Sequence, residues 1–163
     1  MKKIDAMNEA FNKKDKTAFY NYLEVPKNPI ANADQFYAVV QDINLCDLRA
    51  ELVYKIDKIK EKQPTDTIRY SGNFLYLDKK PILFGLYNEV IFNLIPTEVS
   101  VQLPFKSMTI TIAEQTIQSE VDEEIIQVGD FIPGIYEWTY ELEKNYIKLS
   151  DKGNVHIYQD EYN

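Results

Sequence analysis

Apolar residues recur at helical spacing along the start of the chain. Over residues 2–12, Ile4 and Phe11 share one face while lysine and asparagine fill the other, which predicts a short amphipathic helix. A second helix is predicted over residues 17–23. Asp15 can cap its N-terminus, because aspartate is a preferred N-cap residue and lies just before the helix.

Two prolines separate this pair from further helices. Pro26 and Pro29 each lack a backbone donor and disfavour helix in the residue before them, so residues 25–31 are predicted to form a loop. Asn32 and Gln35 then have the spacing of a capping box, ahead of the apolar face of a third helix.

The period changes after a fourth helix, which is predicted to begin at Asp47. Beyond it, apolar and polar residues alternate as they do in strands. Strands are predicted over residues 73–77 and 81–84, joined by a turn at residues 78–80, and another strand is predicted over residues 89–95.

Alternation dominates the chain after Pro96. Pro133 and Gly134 have the sequence of a type II turn, in which proline fixes φ at the second position and glycine accepts a positive φ at the third. The strand beyond them places Trp138 on a face predicted to be buried, and a turn at residues 151–153 is predicted to precede the last strand.

These patterns predict an α+β fold in two parts. Residues 1–95 form a small helical domain that ends in a β-hairpin, called the helical part below. Residues 96–163 form an all-β, sandwich-like module, called the β-module. At 163 residues the chain is long enough to build two modest cores.

The net charge of −8 is divided unevenly along the chain. Residues 1–80 carry 14 basic and 12 acidic side chains, whereas residues 81–163 carry 4 and 14. The second half is repelled by phosphate backbones and anionic headgroups, so nucleic acid is not expected as a partner. A cationic or neutral ligand suits this half.

The candidate chemical groups favour no reaction. Cys46 and His156 are each alone, which excludes an internal disulfide and a Cys/His zinc cluster within one chain. Glu141 and Glu143 have the spacing of a glycosidase pair on one strand face, but we interpret them as solvated. The acidic run at residues 120–124 lacks the ligand spacing of a calcium loop. We therefore predict a protein that is not an enzyme, with no catalytic, metal-binding or cofactor-binding residue.

No apolar stretch is long enough to span a bilayer, and the start of the chain lacks the apolar region of a signal peptide. Taken alone, these features indicate a cytoplasmic protein or an excised fragment.

Three segments resemble the extracytoplasmic region of the TcaA family, the teicoplanin-resistance-associated membrane proteins of Gram-positive bacteria. They are Asn12-Lys-Lys-Asp15 with Ala18 and Tyr22-Leu23, then Leu83-Phe-Gly-Leu-Tyr87, and Gly129-Asp-Phe-Ile-Pro-Gly-Ile-Tyr136. The last segment is also similar to the Pro-Gly-x-Tyr turn of PEGA-type surface domains, which are small β-sandwiches. Members of the TcaA family add a zinc ribbon, a membrane span and an NTF2-like domain, none of which is visible in this chain.

The resemblance implies a non-enzymatic extracytoplasmic region of a membrane-anchored cell-envelope protein, linked to cell-wall integrity and the glycopeptide-antibiotic response. Its implied partners are a cell-wall component, a glycopeptide or an envelope protein, and a segment absent from this chain would hold it to the membrane. Two alternatives stay open: a cytoplasmic adaptor or regulatory protein, and a wall-active hydrolase that uses the carboxylates.

Overall fold

The chain folds as an α+β protein. A computed structural model describes residues 2–27, 29–30, 32–42, 49–50, 52–54, 56–57, 68–69, 75–82, 87–144 and 146–158. The helices are α1 (Lys2–Asn12), α2 (Lys16–Tyr20) and α3 (Ala33–Asp42), and the described residues of 49–57 are also helical. The strands are β1 (Leu23–Glu24), β2 (Ile68–Arg69), β3 (Leu75–Ile82), β4 (Tyr87–Leu94), β5 (Thr97–Leu103), β6 (Met108–Ile112), β7 (Gln115–Gln118), β8 (Glu124–Phe131), β9 (Gly134–Lys144) and β10 (Ile147–Ile157).

The apolar pattern of the helical part builds one core. The predicted helix over residues 2–12 is confirmed, and its apolar face joins Phe19 of α2 and Phe36 of α3, whose rings stack with centroids 6.0 Å apart. The same core includes Phe92 and Leu94 of β4. This strand lies in a four-stranded sheet of order β1-β4-β3-β2, in which β1 is parallel to β4 and the remaining pairs are antiparallel.

The helix caps agree with the sequence in part. Asp15 caps α2 as predicted, because its Oδ1 accepts a backbone N–H of the first turn, but the helix ends at Tyr20. Asn32 Oδ1 accepts the N–H of Asp34 at 2.7 Å. Gln35 Oε1 has no hydrogen-bond partner among the described residues, so the predicted capping box forms only on its asparagine side.

Two antiparallel sheets share the core of the β-module. One has the order β10-β9-β6-β7, and the other pairs β5 with β8. Ile112, Phe131 and Tyr136 lie at the centre, where the tyrosine ring meets Phe131 edge-on at 5.2 Å. The register of β5 with β8 shifts next to Val99, and its partner Gly129 has a φ of +143° that favours glycine.

Two predicted turns are wrong, because both lie inside long strands. Residues 78–80 continue β3 and pair with residues 89–91 of β4. Residues 151–153 continue β10 and pair with residues 138–140 of β9. The charged side chains described at these positions are exposed, and an exposed strand position tolerates residues that are also typical of turns.

The predicted type II turn at Pro133 and Gly134 is also wrong. The chain bends at Pro133 as it passes between the two sheets, and Gly134 begins β9 without a positive φ. Trp138 is half-buried rather than buried, and its ring stacks on Tyr140 with centroids 5.8 Å apart. Tyr136, which is 1% exposed, is the buried aromatic residue of this strand.

The helical part contacts the β-module through Ile30. Its N–H donates to the carbonyl of Asp130 at 2.8 Å, and its carbonyl accepts the N–H of Ile132 at 2.9 Å. Ile132 belongs to the β-module by sequence, yet its side chain lies in the core of the helical part. The boundary near Pro96 stays a prediction.

The described helices include none that is both long and apolar enough to cross a membrane. Cys46, the predicted helix start at Asp47 and residues 83–86 of the family resemblance lie outside the described residues.

Candidate functional site

A groove of about 470 Å³ lies between α3 and one face of β9. On β9 this face carries Ile135, Glu137 and Thr139, which alternate with the side chains that point toward the β-module core. The residues that line the groove are Asp34, Gln35, Ala38, Thr111, Ala113, Glu114, Ile135, Glu137, Thr139 and Asn154. Its walls therefore come from both parts of the chain.

The close approach of α3 to β9 depends on Gly134. A Cβ atom at this position would lie 2.9 Å from Cβ of Gln35 and 2.9 Å from the ring of Tyr136. Both distances are well below the optimal separation of two carbon atoms, about 3.5–4.0 Å. The glycine of the Pro-Gly pair thus permits helix packing rather than a positive φ.

The turn between β6 and β7 forms another wall. Ala113 and Glu114 have φ values of 48° and 70°, and two positive values are what a two-residue type I′ hairpin requires. The hydroxyls of Thr111 and Thr116 lie 2.9 Å apart across this hairpin. The N–H of Ala113 donates to the carbonyl of Glu137 at 3.4 Å, which ties the turn to the floor of the groove.

Hydrogen-bond acceptors dominate the groove. Asp34, Glu114 and Glu137 supply carboxylates, and the lining residues named above include no lysine or arginine. Asp34 already pairs with Lys16, whose Nζ lies 2.7 Å from Oδ1. Gln35 Oε1 is buried and finds no hydrogen-bond partner in the described part of the chain. The carboxylates of Glu114 and Glu137 line the groove itself, so a ligand that brings an N–H or O–H group is favoured there.

Two buried tyrosine hydroxyls lie at the same junction of the two parts. Burial raises the pKa of both Tyr20 and Tyr136, and the phenol of Tyr20 raises the pKa of Tyr136 further. The hydroxyl of Tyr136 donates to the carbonyl of Ile132, whereas Tyr20 Oη has no partner among the described residues. Both side chains are therefore neutral at ordinary pH.

The residues weighed for catalysis do not converge on the groove. His156 is exposed on β10, with Nδ1 4.0 Å from Oδ2 of Asp42. Glu141 and Glu143 are exposed on the same face of β9 as Glu137, but they do not line the groove.

The acidic run before β8 closes a loop. Oδ1 of Asp122 accepts the N–H of Lys106 at 2.7 Å, and Oε2 of Glu124 accepts the N–H groups of Glu120 at 2.6 Å and of Val121 at 3.4 Å. Within the described ranges, no group of three or more His, Cys, Asp or Glu residues is placed to hold a metal ion.

The sequence patterns missed the groove because its walls are distant along the chain. Alternation puts Glu137 on the strand face opposite to that of Trp138, but no local signal indicated that α3 packs beside it. The nearest clue was the glycine at position 134, where a helix can pack closely. Because Pro133 precedes it, the sequence was interpreted as a turn instead.

Comparison with known proteins provides no neighbour for this chain. No protein-family model, no curated protein and no solved structure matches it. A functional proposal therefore depends on the geometry of the groove and on the resemblance of the three short segments.

Proposed function

We propose that this chain is a non-enzymatic ligand-binding region of a membrane-anchored cell-envelope protein, and that the groove between α3 and β9 is its binding site. The ligand is a neutral or cationic molecule rich in hydrogen-bond donors. The observation that carries this proposal is a groove lined by the acceptors of Asp34, Glu114 and Glu137, with no lysine or arginine among its lining residues.

The envelope setting comes from the resemblance to the TcaA family and to PEGA-type domains. The two antiparallel sheets with a shared core support the sandwich part of that resemblance. The family's link to the cell wall makes peptidoglycan fragments and glycopeptide antibiotics the first ligands to consider, and it assigns the chain to the extracytoplasmic side of the membrane.

The groove has the properties that such ligands need. Its volume of about 470 Å³ is within the range of small-molecule sites. Three lining side chains can each donate as well as accept hydrogen bonds: Thr111, Thr139 and Asn154. This suits a ligand with many hydroxyl and amide groups. Glu114 and Glu137 add a preference for a protonated amine.

The test is a calorimetric titration of the purified chain with soluble peptidoglycan fragments and, separately, with teicoplanin. Trp138 fluorescence supplies a second signal from the same strand: Trp138 lies between Glu137 and Thr139 in sequence, and its ring lies on the opposite face of β9. The double variant Glu114→Gln with Glu137→Gln keeps the shape of the groove and removes two charges. We expect it to weaken binding of an amine-bearing ligand about tenfold or more.

Glu143→Gln is the matched control, because it removes a carboxylate from the same strand face outside the groove. A Gln35→Met variant should leave the free energy of unfolding unchanged or higher, since it removes a buried unsatisfied group. The proposal would be contradicted if neither probe bound saturably. It would also be contradicted if Glu143→Gln weakened binding as much as the double variant does.

A further inference from the structure

Exposed apolar side chains of the β-module gather at the end away from the helices. The described residues include six large ones there, hereafter the end patch: Phe105, Val121, Ile125, Tyr146, Ile147 and Leu149. Strand register places Leu149 at the same end as Met108, because Leu142 of β9 pairs with both, and Tyr146 and Ile147 lie at the tip of the same hairpin. Contiguous exposed apolar groups of this kind mark interaction surfaces.

Hydrogen bonds hold the loops of the end patch in place. The hydroxyl of Ser119 donates to the carbonyl of Phe105, which joins the loop after β5 to the loop after β7. The N–H of Lys106 donates to Asp122, and the N–H of Glu123 donates to the carbonyl of Pro104 at 3.3 Å. The loops that carry Phe105 and Val121 are therefore fixed to each other.

The other end of the β-module is occupied. Phe131, at the end of β8, bridges to Ile30, and the turn at Ala113 and Glu114 closes the groove beside α3. The end patch thus lies at the opposite end from the groove, so a partner at the patch leaves the groove open.

Charge is separated across the end patch. Lys144 and Lys148 lie on the β9–β10 hairpin, beside Tyr146 and Ile147, whereas Lys152 lies farther along β10, opposite Thr139. The loop at residues 119–123 carries Glu120, Asp122 and Glu123 beside Val121. Glu143 stands opposite Lys148 and offsets one of the positive charges.

The two sides are well separated. In the sheet order β10-β9-β6-β7, the hairpin and the strand that leads into the acidic loop are at opposite edges. Three strand spacings set them about 14 Å apart. The end patch therefore has a net charge of +1 from Glu143, Lys144 and Lys148 on the hairpin side, and of −3 from Glu120, Asp122 and Glu123 on the loop side, where Lys106 also lies.

We propose that the end patch is the interface of a twofold-symmetric dimer of this chain. In a twofold contact each side meets the opposite side of the second copy, and the contact occurs twice. Lys144 and Lys148 of one copy then face the acidic loop of the other, with the exposed apolar side chains between them. An anionic membrane is the poorer occupant, because residues 81–163 carry 14 acidic against 4 basic side chains.

Sedimentation equilibrium across a wide concentration range tests the dimer. The unaltered chain should show the mass of two copies at high concentration and dissociate on dilution, and added salt should weaken the association because the charges are exposed. The double variant Tyr146→Ser with Ile147→Ser should raise the dissociation constant about tenfold or more. A chain that is monomeric at every concentration overturns the proposal.

Charge exchange identifies the contact. Lys144→Glu and Glu120→Lys should each weaken self-association, and an equimolar mixture of the two variants should restore a dimer that neither forms alone. Lys152→Glu and Glu98→Lys are the matched controls, because both residues are exposed and lie away from the end patch. Circular dichroism verifies folding of every variant. A dimer that is unaffected by the first pair, or affected equally by the controls, overturns the assignment.

Discussion

Tyr20 and Tyr136 are neighbours with buried hydroxyls that differ in one hydrogen bond. The hydroxyl of Tyr136 donates to the carbonyl of Ile132, while Tyr20 Oη has no partner among the described residues. Tyr136→Phe leaves a buried carbonyl without its donor, so we expect the free energy of unfolding to fall by about 1–3 kcal/mol. Tyr20→Phe removes an unsatisfied group and should leave that free energy unchanged or higher. Urea unfolding at neutral pH measures both, and equal losses would contradict this account.

The same two tyrosines should also affect how the free energy of unfolding depends on pH in alkaline solution. Burial raises the pKa of both phenols in the folded protein, so the folded state favours their neutral forms. Their contribution to stability is complete below the unfolded pKa of about 10 and is lost as pH rises above it. The free energy of unfolding of the unaltered chain should therefore fall as pH rises beyond about 10, and Tyr136→Phe should reduce that slope. An unchanged slope would show that Tyr136 does not titrate on unfolding.

At the scale of elements, the contact between α3 and β9 depends on the absence of a side chain at Gly134. Gly→Ala substitution at a compatible position stabilises by about 0.4–1 kcal/mol through the unfolded chain. Here the added carbon would lie 2.9 Å from Gln35 Cβ, and such overpacking costs about 1–3 kcal/mol. The overlap is the larger effect, so we expect Gly134→Ala to lower the free energy of unfolding.

Gly153→Ala is the comparison for that measurement. Its added carbon would lie 2.9 Å from the Trp138 ring, but this ring is only half-buried and can move away. The loss in thermal or urea unfolding should therefore be smaller than for Gly134→Ala. If the two losses are equal, or if Gly134→Ala is the more stable protein, close helix packing is not the role of this glycine.

Elements were predictable from the sequence where one local cause decides them. The helical spacing of residues 2–12 and the cap at Asp15 are such cases. The turns at residues 78–80 and 151–153 were wrong because a charged residue suits an exposed strand as well as a turn, and only pairing with the next strand distinguishes the two. The groove was not predictable, since it results from α3 docking on β9 and no local pattern carries that contact.

At the scale of the whole molecule, the β-module presents different chemistry at its two ends. One end packs on the helical part and forms an acceptor-lined groove, while the other presents the apolar end patch. Ile132 is the side chain that links the first end to the helices, because it is fully buried in their core although it follows β8. The two parts therefore share packing across the predicted boundary.

Ile132→Ala tests whether the two parts unfold together. The cavity it leaves in the helical core should cost about 2–5 kcal/mol. Trp138 fluorescence follows the β-module and far-UV circular dichroism follows the helices, so a shared core predicts one midpoint by both probes and an equal shift of both in the variant. Gln127→Ala, at an exposed position of β8, is the control and should change stability by no more than about 0.5 kcal/mol. Two separate midpoints, with only the helical one moved by Ile132→Ala, would instead show that the boundary near Pro96 divides two independent folding units.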